Sequence, residues 1–402
     1  MSIFVKKIKG WGIMMKLRKI GLTLLSALLL STTALSPAVT FAQENIIIGG
    51  NLELTGNAAA YGSPAADAIN LFIQQINDNG GILDGRMLEA EIIDNRSDLT
   101  ESASIATRLA GSEAVGIIGP TATGVAKAAI PITNEAGIAN IFAATTGDGL
   151  TLADDGSLLE YIFRVCFEDS YQGLAAGAYT ANELGFSKAV ILTDQALDYS
   201  LALADSFTET FTENGGEILE TQSYQSGDTD FTALLTSLLG KDFDVLYIPG
   251  YYTETGLIIK QAREMGITQP IIGGDGYHSD TLVDLAGTSN ATDIYFTTHF
   301  SEESDNPKVQ EFLTDFEEMY GRSADTFSAL GYDAIGLLVD AIERAGSTDR
   351  DAIRQALEET ENFEGITGTF SMDESHNPTK SALMLRLENG EIAEVSEASA
   401  EE

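Results

Sequence analysis

Five short stretches hold the side chains best able to do chemistry: Gly119-Pro120-Thr121-Ala122-Thr123-Gly124, Ala143-Ala144-Thr145-Thr146, Asp198-Tyr199, Gly250-Tyr251 and Gly274-Asp275-Gly276. The Asp275 carboxylate can receive an ammonium in a charge-assisted hydrogen bond. Free N–H groups at a helix start near Gly124, helped by the Thr121 and Thr123 hydroxyls, can receive a carboxylate. Tyrosine faces can close over an apolar side chain or a cation. Together they suit a small zwitterion and do not suit bond breaking. Each residue also has a plainer reading. Thr123 fits a helix N-cap, Asp275 fits a turn bonded to its own backbone, and Tyr199 and Tyr251 fit ordinary packing.

Enzymatic constellations are not visible. The three histidines, His278, His299 and His376, are scattered and form no metal-ligand pair at helical spacing. There is no Gly-x-Ser-x-Gly elbow, P-loop or strand-borne Gly-x-Gly-x-x-Gly. Asp148, Asp154 and Asp155 do not match a calcium loop. No catalytic residue, metal or cofactor is therefore expected.

The elements that must position these residues follow from periodicity. Strands are predicted at Ile46 to Leu52, Leu88 to Asp94, Val115 to Gly119 and Ile138 to Ala144. Helices are predicted between them, over Tyr61 to Asn79, Ser102 to Leu109 and Val125 to Glu135. A second series follows, with helices over Tyr171 to Leu184, Ser200 to Asn214, Phe231 to Leu239 and Thr255 to Met265. Its strands are Ala189 to Thr193, Ile218 to Tyr224, Val245 to Ile248 and Pro270 to Gly273. Two runs of strand/helix alternation predict two α/β domains with parallel sheets. In such sheets ligands bind beyond the carboxyl ends of the strands, where all five stretches lie.

Composition narrows the setting. The chain of 402 residues carries a formal charge of −39, which disfavours nucleic acid and anionic membranes. Its first 42 residues hold six of the 22 basic side chains and no acidic one. Basic residues from Lys6 to Lys19 precede the apolar run Ile20 to Leu30, and Thr40-Phe41-Ala42 supplies small residues for cleavage. Residues 1–42 thus read as a signal peptide, with Met1, Met14 or Met15 as its start. The expected location is the periplasm or the medium, after cleavage near Ala42. The single cysteine, Cys166, lies in an apolar run and reads as a buried, inert thiol. The acidic tail, 394–402, reads as disordered.

Further short stretches point to a family: Leu54-Thr55-Gly56 with Tyr61-Gly62, Ile76-Asn77-Asp78-Asn79-Gly80-Gly81, Gly227-Asp228-Thr229-Asp230-Phe231 and Gln261-Ala262-Arg263. With Gly250-Tyr251 and Gly273-Gly274-Asp275-Gly276 in this order, the chain from Ile46 to about Asn389 resembles type I periplasmic binding proteins. It looks most like the leucine/isoleucine/valine receptors of ABC importers.

The resemblance implies two Rossmann-like lobes joined by three crossovers, near Val165-Cys166, Thr297 to His299 and Gly368 to Phe370. Lobe 1 would be 43–166 plus 299–367, and lobe 2 would be 167–298 plus 368–393. It implies that an amino acid sits between lobes that close on it. Thr123 and neighbouring N–H groups would hold its carboxylate. The Ala143 carbonyl, Thr145 hydroxyl and Asp275 carboxylate would hold its ammonium. Tyr199 would contact the ligand backbone, and Tyr61, Thr121, Tyr251 and Phe327 would shape the side-chain pocket. Many relatives carry glutamate where Asp275 stands, and an apolar residue where Thr121 stands. Expected partners are a free amino acid and a membrane permease, with the receptor a monomer. An amide, urea or small carboxylate ligand, or a sensory role, are the alternatives.

Overall fold

The structure, a computed structural model, describes residues 44–399. Residues 1–42, read as a signal peptide, lie outside the described residues. Five strands form the first sheet: β1 (Ile46–Leu52), β2 (Leu88–Asp94), β3 (Ala114–Ile118), β4 (Asn140–Phe142) and β5 (Ile162–Arg164). Their order is β2-β1-β3-β4-β5, and every neighbouring pair is parallel. Parallel strands covered by helices on both faces need continuous apolar runs. β3, β4 and β5 are accordingly buried at every position.

Helices α1 (Ala59–Asp78), α2 (Leu99–Ala110) and α3 (Thr123–Glu135) alternate with the early strands. α1 starts two residues before the sequence expectation. α2 starts three residues early because Asp98 caps it, accepting from the Thr100 and Glu101 N–H groups.

The chain then builds the second sheet. Its parallel part uses β6 (Lys188–Asp194), β7 (Glu217–Tyr224), β8 (Val245–Tyr247), β9 (Ile271–Gly273) and β10 (Ile294–Thr298). Its helices are α4 (Asp169–Asn182), α5 (Asp198–Glu213), α6 (Thr232–Thr236), α7 (Tyr252–Glu264) and α8 (Asp280–Ala286). α6 has only five residues and stops well short of the predicted Leu239.

After β10 the chain returns to the first sheet with α9 (Pro307–Tyr320), α10 (Thr326–Ala345) and α11 (Arg350–Glu358). α10 packs on α1 and β3. Gly331 makes this crossing possible, since a Cβ there would lie 2.7 Å from the Ala65 Cα. A small hairpin, β11 (Phe363–Gly365) with β12 (Gly368–Phe370), precedes the last two strands. β13 (Ala382–Glu388) joins the second sheet antiparallel to β10, and β14 (Glu391–Ala398) pairs with β13. The final order is β14-β13-β10-β9-β8-β6-β7.

β14 corrects the expectation of a disordered tail from residue 394. Glu394 to Ala398 are paired strand residues. Glu391, Glu394 and Glu397 are exposed, while Ile392, Ser396 and Ala398 are partly or fully buried. Charged residues on the outside of an edge strand also discourage pairing with other chains.

Candidate functional site

The carboxyl ends of the two sheets face each other across a small, narrow cavity. The first lobe lines it with Tyr61, Thr121, Thr123, Ala144, Thr146 and Phe327. The second lines it with Tyr199, Tyr251, Asp275 and Gly276. Seven of the nine sequence-derived candidates therefore converge. Ala143 and Thr145 do not line the cavity, whereas their neighbours Ala144 and Thr146 do. β4 ends at Phe142, two residues before the expected end, and the chain bends there. Thr145 is fully buried, and its hydroxyl donates to the Pro120 carbonyl at 2.7 Å. It holds two loops together.

The loop between β3 and α3 is fixed by a residue that sequence reading missed. Glu53, fully buried just after β1, accepts from the Thr121 N–H (3.0 Å), the Ala122 N–H (3.2 Å) and the Thr121 hydroxyl (2.7 Å). Burial raises its pKa above the usual carboxylate value, and these donors pull it partly back. Two of the N–H groups available for an anion are thus already occupied. Those of Thr123 and Gly124, in the first turn of α3, have no hydrogen-bond partner among the described residues. The Thr123 hydroxyl accepts from the Gly147 N–H at 3.2 Å, which leaves its own proton free to donate. Thr121 has spent its proton on Glu53 and presents only lone pairs.

The opposite wall is acidic. Asp275 begins a single 3-10 turn after β9 and is buried. Its Oδ1 accepts from the Tyr199 hydroxyl at 2.8 Å and from the Gln172 side-chain amide at 3.1 Å. Tyr199 also accepts from the Gly276 N–H at 3.2 Å. It orients Asp275, and it lines the cavity as expected. Gly274 permits this approach, because a Cβ there would meet the Tyr199 hydroxyl at 2.4 Å.

The only ion-pair candidate for Asp275 among the described residues is His299, whose Nε2 lies 3.5 Å from Oδ2. His299 is itself buried and stacked on Phe167 with centroids 3.5 Å apart. Burial lowers its pKa to about 4, so the ring is neutral at physiological pH. A buried carboxylate without a cationic neighbour is costly until a cation arrives.

Aromatic residues shape the rest. Tyr61 packs against Phe327 with centroids 4.3 Å apart, and meets Tyr251 and Tyr252 edge-on at 5.2 Å. Its hydroxyl donates to the Gly276 carbonyl (3.0 Å) and accepts from the Tyr252 N–H (3.3 Å). These bonds join the two lobes directly. An ion pair between Lys127 of α3 and Asp198 of α5 adds another link. The Tyr251 hydroxyl makes no hydrogen bond to a described residue, so it remains available to a ligand.

A larger, open groove lies beside α1, lined by His278, Glu302 and Asp325 among others. His278 is committed there, with Nδ1 2.9 Å from the Thr298 hydroxyl and Nε2 3.0 Å from Glu302. Burial disfavours its charged form, but Glu302 outweighs burial and raises its pKa. Cys166 is buried, and burial lifts its thiol pKa to about 12, as expected for an inert residue.

Comparisons with known proteins identify the family of this fold. Residues 45–391 match the family described as periplasmic binding protein. The chain is 38% identical to the branched-chain amino acid transporter substrate-binding protein LivJ of Streptococcus pneumoniae, solved with isoleucine. That match covers 88% of this chain and 99% of the other, with a TM-score of 0.84. It is 34% identical to the leucine-binding protein LivK of Thermotoga maritima, over 88% and 99% of the two chains, with a TM-score of 0.81. A Leu/Ile/Val-binding protein homologue of Brucella suis is 29% identical over 87% of this chain and 93% of its own. With two helix-flanked, mainly parallel sheets meeting at one cavity, this chain belongs to the periplasmic binding protein family.

Proposed function

We propose that this protein is an extracytoplasmic receptor that captures a branched-chain or other small α-amino acid and delivers it to the permease of an ABC importer. The observation that carries the reading is one cavity with two opposite poles. Asp275 is a buried carboxylate with no charged cationic neighbour, and the first turn of α3 offers open N–H groups beside the Thr123 hydroxyl. An α-amino acid satisfies both poles at once. The isoleucine in the S. pneumoniae relative and the leucine named for the T. maritima relative support this class.

The residues take distinct roles. Thr123 and the N–H groups of Thr123 and Gly124 hold the ligand carboxylate. Asp275 holds the ammonium, with Ala144 and Thr146 at the place first assigned to Ala143 and Thr145. Tyr61, Tyr251 and Phe327 enclose the side chain. Thr121 presents lone pairs there, which admits a small polar side chain as well as a branched aliphatic one. The relatives are substrate-binding proteins, which supports a carrier that does no chemistry. Capture runs from an open form to the closed one, stabilised by ligand contacts from both lobes and by the Tyr61 bridge. The lobes are 43–166 with 299–367 and 167–298 with 368–398, acting as a monomer. The basic, apolar leader supports export with cleavage near Ala42.

Thermal unfolding of the protein from Gln43 onward tests the reading against the twenty amino acids, urea, short amides and small carboxylates. A ligand that binds only the folded state at 100 times its Kd adds about 2.7 kcal/mol. The expected result is a raised Tm with a small group of aliphatic or polar α-amino acids. Shifts only with amides or acids would remove Asp275 from the ammonium role.

A further inference from the structure

Behind Asp275 lies a side chain that no sequence motif singled out and that does not line the cavity. Gln172, on the first turn of α4, is fully buried. Its amide nitrogen donates to Asp275 Oδ1 and to Asp169 Oδ1, each at 3.1 Å. Its amide oxygen accepts from the Asp275 N–H at 3.2 Å and from the Thr297 hydroxyl at 2.8 Å. All four hydrogen-bonding positions of the amide are therefore used. One side chain holds both the backbone and the carboxylate of Asp275. Through Thr297, near the end of β10, it also holds the segment where the chain leaves the second sheet.

The amide itself is held rigidly. α4 lies close against α5 because Gly173 and Gly177 have no side chains. A Cβ at Gly173 would lie 2.7 Å from the Ser206 Cβ, and one at Gly177 would lie 2.8 Å from the Phe207 carbonyl oxygen. The second carboxylate, Asp169, is also fully buried, and its Oδ2 has no partner. Gln172 thus separates two buried acids while donating to both. Without it, Asp275 would keep only Tyr199 as a donor and would be free to turn away from the cavity.

We propose that Gln172 is a positioning residue that fixes the Asp275 carboxylate for the ligand ammonium and ties it to the second crossover through Thr297. This rests on the amino-acid reading of the cavity. Because Gln172 acts on the ammonium pole, its loss must be felt more by a ligand that carries an ammonium than by one that offers only a neutral hydroxyl there.

The test uses isoleucine and its α-hydroxy acid analogue, titrated calorimetrically into the protein from Gln43 onward. Gln172→Met keeps the length and volume of the side chain and removes every hydrogen bond. Hydrogen bonds to charged groups are the stronger ones, so isoleucine should bind about 10- to 100-fold more weakly. The hydroxy acid should change less than about threefold on the same scale. Thr297→Val leaves the amide in place but frees one side of it, and should show the same selective loss at about two- to tenfold. It also keeps the test alive if the methionine variant does not fold. Equal losses for both ligands, or no loss for isoleucine, would overturn the assignment. A wild-type protein that binds no α-amino acid would instead overturn the reading of the cavity, and this role with it.

Discussion

Asp275→Asn should bind its amino acid at least 30-fold more weakly than the wild type, with an unchanged fold. The substitution keeps the shape of the side chain. Its amide oxygen can still accept from Tyr199 and Gln172, which hold Oδ1 at 2.8 and 3.1 Å. What disappears is the negative charge. Losing one partner of a buried, hydrogen-bonded charge pair costs about 2–5 kcal/mol. That corresponds to roughly 30- to 5,000-fold in Kd. His299 cannot compensate, because it is neutral in this setting. Titration calorimetry gives the Kd, and circular dichroism reports the fold. Asp275→Ala should be more severe, since it also strands the two donors. Wild-type affinity in the asparagine variant would remove Asp275 from the ammonium site.

Gly62→Ala should lose both stability and affinity, although glycine to alanine usually favours a helix. Gly62 lies in the first turn of α1, pressed against the chain that leaves β1. A Cβ there would sit 2.4 Å from the Glu53 carbonyl oxygen and 2.6 Å from its nitrogen. These are backbone atoms and cannot rotate away. Overpacking of this kind costs about 1–3 kcal/mol. The displaced neighbours are Glu53, which holds the loop before α3, and Tyr61, which bridges the lobes. Denaturant unfolding should show the lower stability, and ligand titration at a permissive temperature should show weaker binding. An alanine variant as stable as the wild type would mean that α1 can move away from β1 at no cost.

The fold and much of the cavity were legible for a definite reason. Strand-end loops in parallel sheets all open on the same side, so Thr123, Tyr199, Tyr251 and Asp275 could be gathered from strand positions alone. Ala143 and Thr145 came from the family resemblance alone; in the structure the chain bends after Phe142, and their neighbours Ala144 and Thr146 line the cavity.

The unread residues act across long sequence separations. Glu53 reaches a loop 68 residues away, and Gln172 reaches Asp275 across 103. Neither pairing leaves a local signature, because polar side chains deep in the molecule look like any others in the sequence. The tail failed differently. Its composition suggested disorder, but Ile392, Ser396 and Ala398 turn toward the sheet while the glutamates stay in water.

The most direct measurement is a crystal structure of the protein from Gln43 onward grown with isoleucine. The account predicts one ligand in the cavity between the lobes. Its ammonium should lie within about 3 Å of the Asp275 carboxylate, and its carboxylate at a similar distance from the Thr123 hydroxyl and the first N–H groups of α3. A ligand in the opposite orientation, or bound outside this cavity, would contradict it.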